Sequence, residues 1–205
     1  MLGLKHNVNL LVDYDPDWPL AFLEEKKKIS EVLGNTAKGI EHYGSTAVLG
    51  MRAKPILDIL VGVNPIDDWK KCKAPLEGLG YDYAENAGVP GHYIFGRGRD
   101  RAERTHLVHV VEYLGASWRT GLALRAALHD DLELRARYTE AKERAIAASP
   151  VGRARYNELK GPFLSAVKAG LKQPNSVVNG SFWHMALFGL GVLASRLRAR
   201  VRALG

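Results

Sequence analysis

"IEHYGSTAVLGMRAKPILDILVGV", residues 40–63, decides the fold. With Gly39 its first part, "GIEHYG" (39–44), alternates as a short strand. "STAVLGMRAK" then predicts one or two helical turns, stopped at Lys54-Pro55 because the residue before a proline avoids helical backbone. "PILDILVGV" is a nearly continuous apolar run rich in β-branched residues, the pattern of a buried central strand. Alternation puts Ile56, Asp58 and Leu60 on one face of that strand and Leu57, Ile59 and Val61 on the other. A carboxylate in such a run requires a partner, because burying an unpaired charge is expensive. Lys54, Arg52, His109 and a bound cation all qualify.

The turn between the strands reads in two ways. Gly44 lets the backbone approach an anion, Ser45 and Thr46 can offer hydroxyls to phosphate, and the free N–H groups at the start of the helix add partial positive charge. The same residues serve equally as an ordinary helix cap. Asp58 paired with Lys54 or Arg52 would likewise be an ordinary ion pair. This stretch alone leaves both readings open.

On the N-terminal side, Val8, Leu10 and Val12 alternate and predict a short strand. "DYDPDWP" is turn chemistry: Asp17 can cap the helix that follows, and Pro19 fits its first turn. That helix carries Phe22, Ile29, Val32 and Leu33 along one stripe and ends at Gly34. Beyond the central strand, "NPIDDWKKCKAPLEGLG" predicts a helix, with Pro75 breaking or restarting it. "YDYAE", "GHYIFGRG" and "THLVHVVEY" predict three strands. From Gly115 onward the pattern is helical, with Asp130 and Asp131 placed to suit a helix dipole. The order implies an α/β (α+β) fold, a mixed sheet core followed by C-terminal helices.

At this point the sequence resembles the GrpB-like proteins, a family grouped with the nucleotidyltransferase superfamily on fold. The resemblance rests on the opening stretch together with "DYDPDWPLAF", "LGYDY", "THLVHVV" and "RARYNELKGPFL", over roughly residues 7–170. It implies a nucleotidyltransferase-like core with an anion or nucleotide pocket at the Gly44-Ser45 turn. The superfamily pattern is a Gly-Ser turn, a short spacer, then Asp-x-Asp or Asp-x-Glu on a strand. Gly44-Ser45 and Asp58 match it, and Leu60 departs from it, as GrpB-like proteins commonly do. Two-metal phosphoryl transfer needs acids that hold both cations in line with the attacking and leaving oxygens, so a further ligand would have to come from elsewhere. The family pattern in the later strand is His-His-x-His. Here His106 and His109 remain, and Leu107 takes the middle position. A spacing of three residues puts those two histidines on opposite faces of a strand.

The site implied has Asp58 holding a divalent ion, Mg²⁺ or Mn²⁺, and His109 acting as ligand or base, with His42 as a third metal ligand. Gly44, Ser45, Thr46, Arg52 and Lys54 would receive the phosphate. Arg119, Arg155 and Lys160 are weaker candidates for the same cleft, and Trp18, Trp118 and Tyr156 read as core. The implied partner is a nucleotide or phosphorylated small molecule. Because members of the family can be fused to dephospho-coenzyme A kinase, a non-catalytic accessory role is the alternative.

The 205 residues carry a net charge of +7. They show no aromatic-interleaved basic stripe or recognition-helix pattern, so nucleic acid is not expected as the main ligand. The one cysteine, Cys72, excludes an intrachain disulfide and a cysteine-based metal site, and reads as packing. The start of the chain lacks the long apolar segment of a signal peptide, which gives the cytoplasm as the expected compartment. Residues 1–172 read as the domain and 173–205 as a linker with an apolar, basic tail. The tail's apolar part, about 14 residues interrupted by His184 and two glycines, is shorter than the roughly 20 residues that cross a bilayer. It can dock on its own domain or on the partner in a homodimer, lie on a membrane surface, or stay disordered.

Overall fold

The computed structural model describes residues 2–85, 91–99 and 102–171, which belong to one unit ending at Leu171. The expectations for the tail lie outside the described residues. In chain order the elements are β1 (Leu4–Lys5), α1 (Trp18–Leu33), β2 (Gly39–Tyr43), β3 (Leu57–Val63), α2 (Trp69–Gly78), β4 (Asp82–Tyr83), β5 (Tyr93–Arg97), β6 (Glu103–Arg104), β7 (His106–Glu112), α3 (Ala116–Asp130), α4 (Leu132–Ala148) and α5 (Arg153–Leu171). The main sheet runs β2-β3-β7-β5-β4. Only β3 and β7 are parallel, with Leu60 beside His109 and Asp58 beside Leu107. The other three pairings are antiparallel. The mixed sheet with its later helices bears out the α/β (α+β) reading.

The alternation read in β3 sorts the two sides of the sheet. Leu57, Ile59, Val61 and Val63 join Val108 and Val110 of β7 in the main core, against Trp18, Phe22 and Ile29 of α1 and Cys72 and Leu76 of α2. On the other face Leu60 and Val111 pack under Trp118 of α3. A third cluster joins Val48 and Met51, just after the Gly-Ser turn, to Leu128 of α3 and Tyr138 of α4. That cluster fastens the helical half over the end of the sheet where the turn lies.

Four expectations change in detail. Residues 8–12 form no strand: Val8 and Val12 make single bridges to Val151 and Ala53, and β1 precedes them. The segment after Gly44 is one 3₁₀ turn, Ser45–Ala47, because Val48 turns extended. Val32 is 39% exposed, and Trp18 and Glu25 complete the buried stripe of α1 instead. Asp17 sits at the cap position of α1 without a capping hydrogen bond; its N–H donates to Asp15 Oδ1. Among the described residues no helix is long and apolar enough to cross a membrane.

Candidate functional site

Gly44 takes φ +73°, a left-handed conformation that favours glycine. A Cβ at this position would stand 2.5 Å from Asp58 Oδ2. The glycine therefore permits two things at once, the sharp exit from β2 and the close seat of the Asp58 carboxylate across from Tyr43. A cavity of about 860 Å³ opens at this point. Its floor is the sheet face that carries Asp58, Leu107, His109 and Ile94, and α3, α4 and α5 supply the opposite wall.

His109 reaches the floor from β7. Its Nδ1 lies 3.2 Å from Nδ1 of His92, so one of the two rings donates to the other. Its Nε2 is buried without a hydrogen-bond partner and lies 3.7 Å from Asp58 Oδ1. Burial, then the neighbouring His109, pulls His92 down to about 4.

Lys142 of α4 crosses to the turn. Its Nζ donates to Ser45 Oγ at 3.3 Å and to the carbonyl of Arg52 at 2.5 Å, and the residue is only 2% exposed. Lys54 donates to Asn9 Oδ1 at 2.6 Å and lies 3.6 Å from the centre of the Tyr156 ring. Burial is the largest cause that brings both lysines down to about 7, with Lys160 next in each case. Burial also lowers Lys160 and Arg153, against the pull of Asp58. Among the described lining residues, Lys54, Arg104, Arg125, Lys142, Arg153, Lys160 and Lys168 face Asp58, Asp82 and Glu85. Arg104 is taken up by Asp82 and Arg125 by Glu41.

The site residues read from the sequence separate into two groups. Gly44, Ser45, Thr46, Lys54, Asp58 and His109 all line the cavity. His42 does not: alternation turns it to the other sheet face, where it stacks on Phe22, and it reaches the cavity only through Thr46 Oγ1, 3.0 Å from its Nε2. Burial drives its pKa down to about 4. Arg52 also points elsewhere, pairing with Asp13 and Glu143. Of the weaker candidates Lys160 lines the cavity, Arg155 pairs with Glu158 at the surface, and Arg119 is exposed. Tyr156 is buried as expected, and it lines the cavity as well. The two histidines of β7 do part: His106 faces the α1 side, where Arg97 joins it to Glu25.

Lys142, Arg153, Tyr138 and His92 were not legible as site residues. A signal for two of the cations exists in retrospect. "YTEAK" (138–142) and "YNELK" (156–160) repeat one spacing on successive helices, and each lysine folds back over its tyrosine, at 5.0 and 4.9 Å.

Among the described residues no group of three or more His, Cys, Asp or Glu could hold a metal. The position of the missing second acid is filled: Leu60 is fully buried against Val111 and Trp118. The donors suit at most one ion, at Asp58 and His109.

The GrpB protein family model matches residues 9–169. The chain belongs to the GrpB family. It is 31% identical over 170 residues to the Glutamate-rich protein GrpB of Alkalihalophilus pseudofirmus, covering 82% of this chain and 98% of that one. The crystal structure of the conserved protein GrpB from Enterococcus faecalis superposes with a TM-score of 0.70 at 28% identity, over 79% of this chain and 96% of that chain. A chain of the GLD-2/RNP-8 complex is alike in fold alone, with a TM-score of 0.51 at 10% identity over 85% and 66% of the two chains. The GrpB resemblance and its nucleotidyltransferase-like fold therefore hold, and the GrpB match spans the Gly44 turn and the lysines of α4 and α5 alike.

Proposed function

We propose that this GrpB-family protein binds a nucleotide or another phosphorylated small molecule in the cleft between the sheet and the C-terminal helices. The observation that carries this reading is the Gly44 turn, which gathers Ser45 Oγ, the Lys142 ammonium from the helical wall and the Asp58 carboxylate from the floor at one end of the cavity. Hydroxyl and ammonium donors suit phosphate oxygens. One carboxylate suits a Mg²⁺ or Mn²⁺ ion that keeps most of its ligands from water and phosphate. Asp58 would hold such an ion and His109 Nε2 would meet the ligand beside it; when bound, the ion would offset phosphate charge at Asp58.

The buried Leu60 favours a second reading, in which the protein binds its ligand as an accessory module and transfers nothing. Two-metal chemistry has no second acid beside Asp58 on β3, where Leu60 stands instead.

Thermal unfolding with a panel of nucleotides, with and without Mg²⁺ or Mn²⁺, tests the binding. A ligand at 100 times its dissociation constant adds about 2.7 kcal/mol, which is about 5–10 °C in Tm for a chain of this size. The absence of any shift across the panel would remove the proposal. Release of pyrophosphate or nucleotide product then separates the two readings. Metal-dependent turnover lost in Asp58→Asn, with Tm retained, supports transfer; binding with no turnover supports the accessory role.

A further inference from the structure

The deep end of the cleft gathers positive charge without matching acid. Lys54 comes from the segment before β3, Lys142 from α4, and Arg153 and Lys160 from α5. None of the four has a carboxylate within ion-pair distance among the described residues. Three of the cations rest on ring faces: Lys142 over Tyr138, and Lys54 and Lys160 over Tyr156. A ring face steadies an ammonium group but does not cancel its charge. Around Lys142 the charged groups are Lys160, Glu143, Arg52 and Lys54; around Lys54 they are Lys160, Arg153 and Asp58. Lys160 and Arg153 also feel Asp58 and each other, with Lys168 acting on Lys160 and Arg104 on Arg153. Once all four are protonated, they exceed the single charge of Asp58 by three.

We propose that this end of the cleft is a proton-linked receptor for a compact polyanion of about three or more negative charges, the lysines taking up protons as the anion enters. The inference rests on the reading of the cleft as a phosphate site, and adds the number of charges and the proton linkage. Burial first, and then like charges held beside one another, disfavour the ionised form of these lysines, so they share their protons unwillingly. The positions of Lys54 and Lys142, both near 7, agree with that. An incoming polyanion reverses the balance, and the amines recharge.

The test is titration calorimetry of the full chain with inorganic phosphate, pyrophosphate and tripolyphosphate, at about pH 6.5 and about pH 8.5, in buffers of low and high ionisation enthalpy. Affinity should rise at least about tenfold from phosphate to tripolyphosphate, and should fall with pH by up to about tenfold per pH unit for each proton taken up. Because tripolyphosphate itself carries protons, uptake is compared between the parent, Lys54→Gln and Lys142→Met, and should drop in both variants. Equal affinity for phosphate and tripolyphosphate overturns the proposal, and so does uptake that is zero or unchanged in the variants. If nucleotide still binds under those results, the phosphate reading survives alone; if no phosphate compound binds, both readings fall.

Discussion

Replacing Lys142 by methionine should make the protein more stable at neutral pH. A free lysine titrates near 10.5, and Lys142 is held near 7 with burial as the largest cause. Below about 10.5 the unfolded chain binds that proton more tightly than the folded chain. Integrated to pH 7, the difference is about 4 kcal/mol against the folded state. Methionine has similar length and no charge, so the substitution removes this penalty. It also removes the donor to the Arg52 carbonyl and to Ser45 Oγ, which costs about 1–3 kcal/mol. The net expectation is a gain of about 1–3 kcal/mol at pH 7. The parent recovers stability as pH rises from about 7 towards 10.5, while the variant has nothing to recover there. The advantage should therefore shrink with pH and reverse once the parent's amine is neutral and still hydrogen-bonded. Urea unfolding at about pH 7 and about pH 9.5, read as the shift in midpoint at constant m, measures both limbs. A loss of stability at pH 7 of the same size at pH 9.5 would refute the reasoning, since Lys142 would then be an ordinary hydrogen-bonded side chain.

Three further substitutions probe the frame. Gly44→Ala should destabilise by about 1–3 kcal/mol, from positive φ and a Cβ driven onto the Asp58 carboxylate; urea midpoints report it, and a neutral result would mean that the turn relaxes freely. Leu60→Asp restores the superfamily's second acid in sequence but should lower stability by at least about 3 kcal/mol, because it buries a carboxylate under Trp118; pyrophosphate release gained without that loss would contradict the packing. Arg97→Met should cost about 1.5–3 kcal/mol by removing the charged partner that meets the buried Glu25 at 2.7 Å and leaving it with Tyr81 and Lys28 alone; thermal and urea unfolding at neutral pH check it.

The fold was legible where one residue pattern decides one element. The β2–turn–β3 stretch needed only alternation, a glycine and an apolar run. The same alternation separated His106 from His109 and shows why His42 turns away from Asp58. Residues 8–12 misled because their pairing partners, Val151 and Ala53, are set by tertiary packing and leave no local mark. The floor of the site was legible because Asp58 is an anomaly in an apolar strand. Its wall was not: on α4 and α5 a lysine that enters a cleft looks like any lysine on a solvated helix face. What distinguishes Lys142 and Lys160 is the tyrosine one turn earlier, and that spacing acquires meaning only once both helices are seen to face the Gly-Ser turn.

The join between Ser45 and Lys142 spans 97 residues of chain, and Asn9 is tied to the carbonyl of Ser149 across 140. Contacts of such separation form late, after the entropy of closing long loops has been overcome. During synthesis the sheet strands emerge before α4 and α5 do. A nascent chain can thus assemble the floor with Asp58 and His109 while it still lacks the lysine wall. A ligand of the kind proposed, bridging floor and wall, would draw the last helices onto the sheet, and its capture would report completed folding.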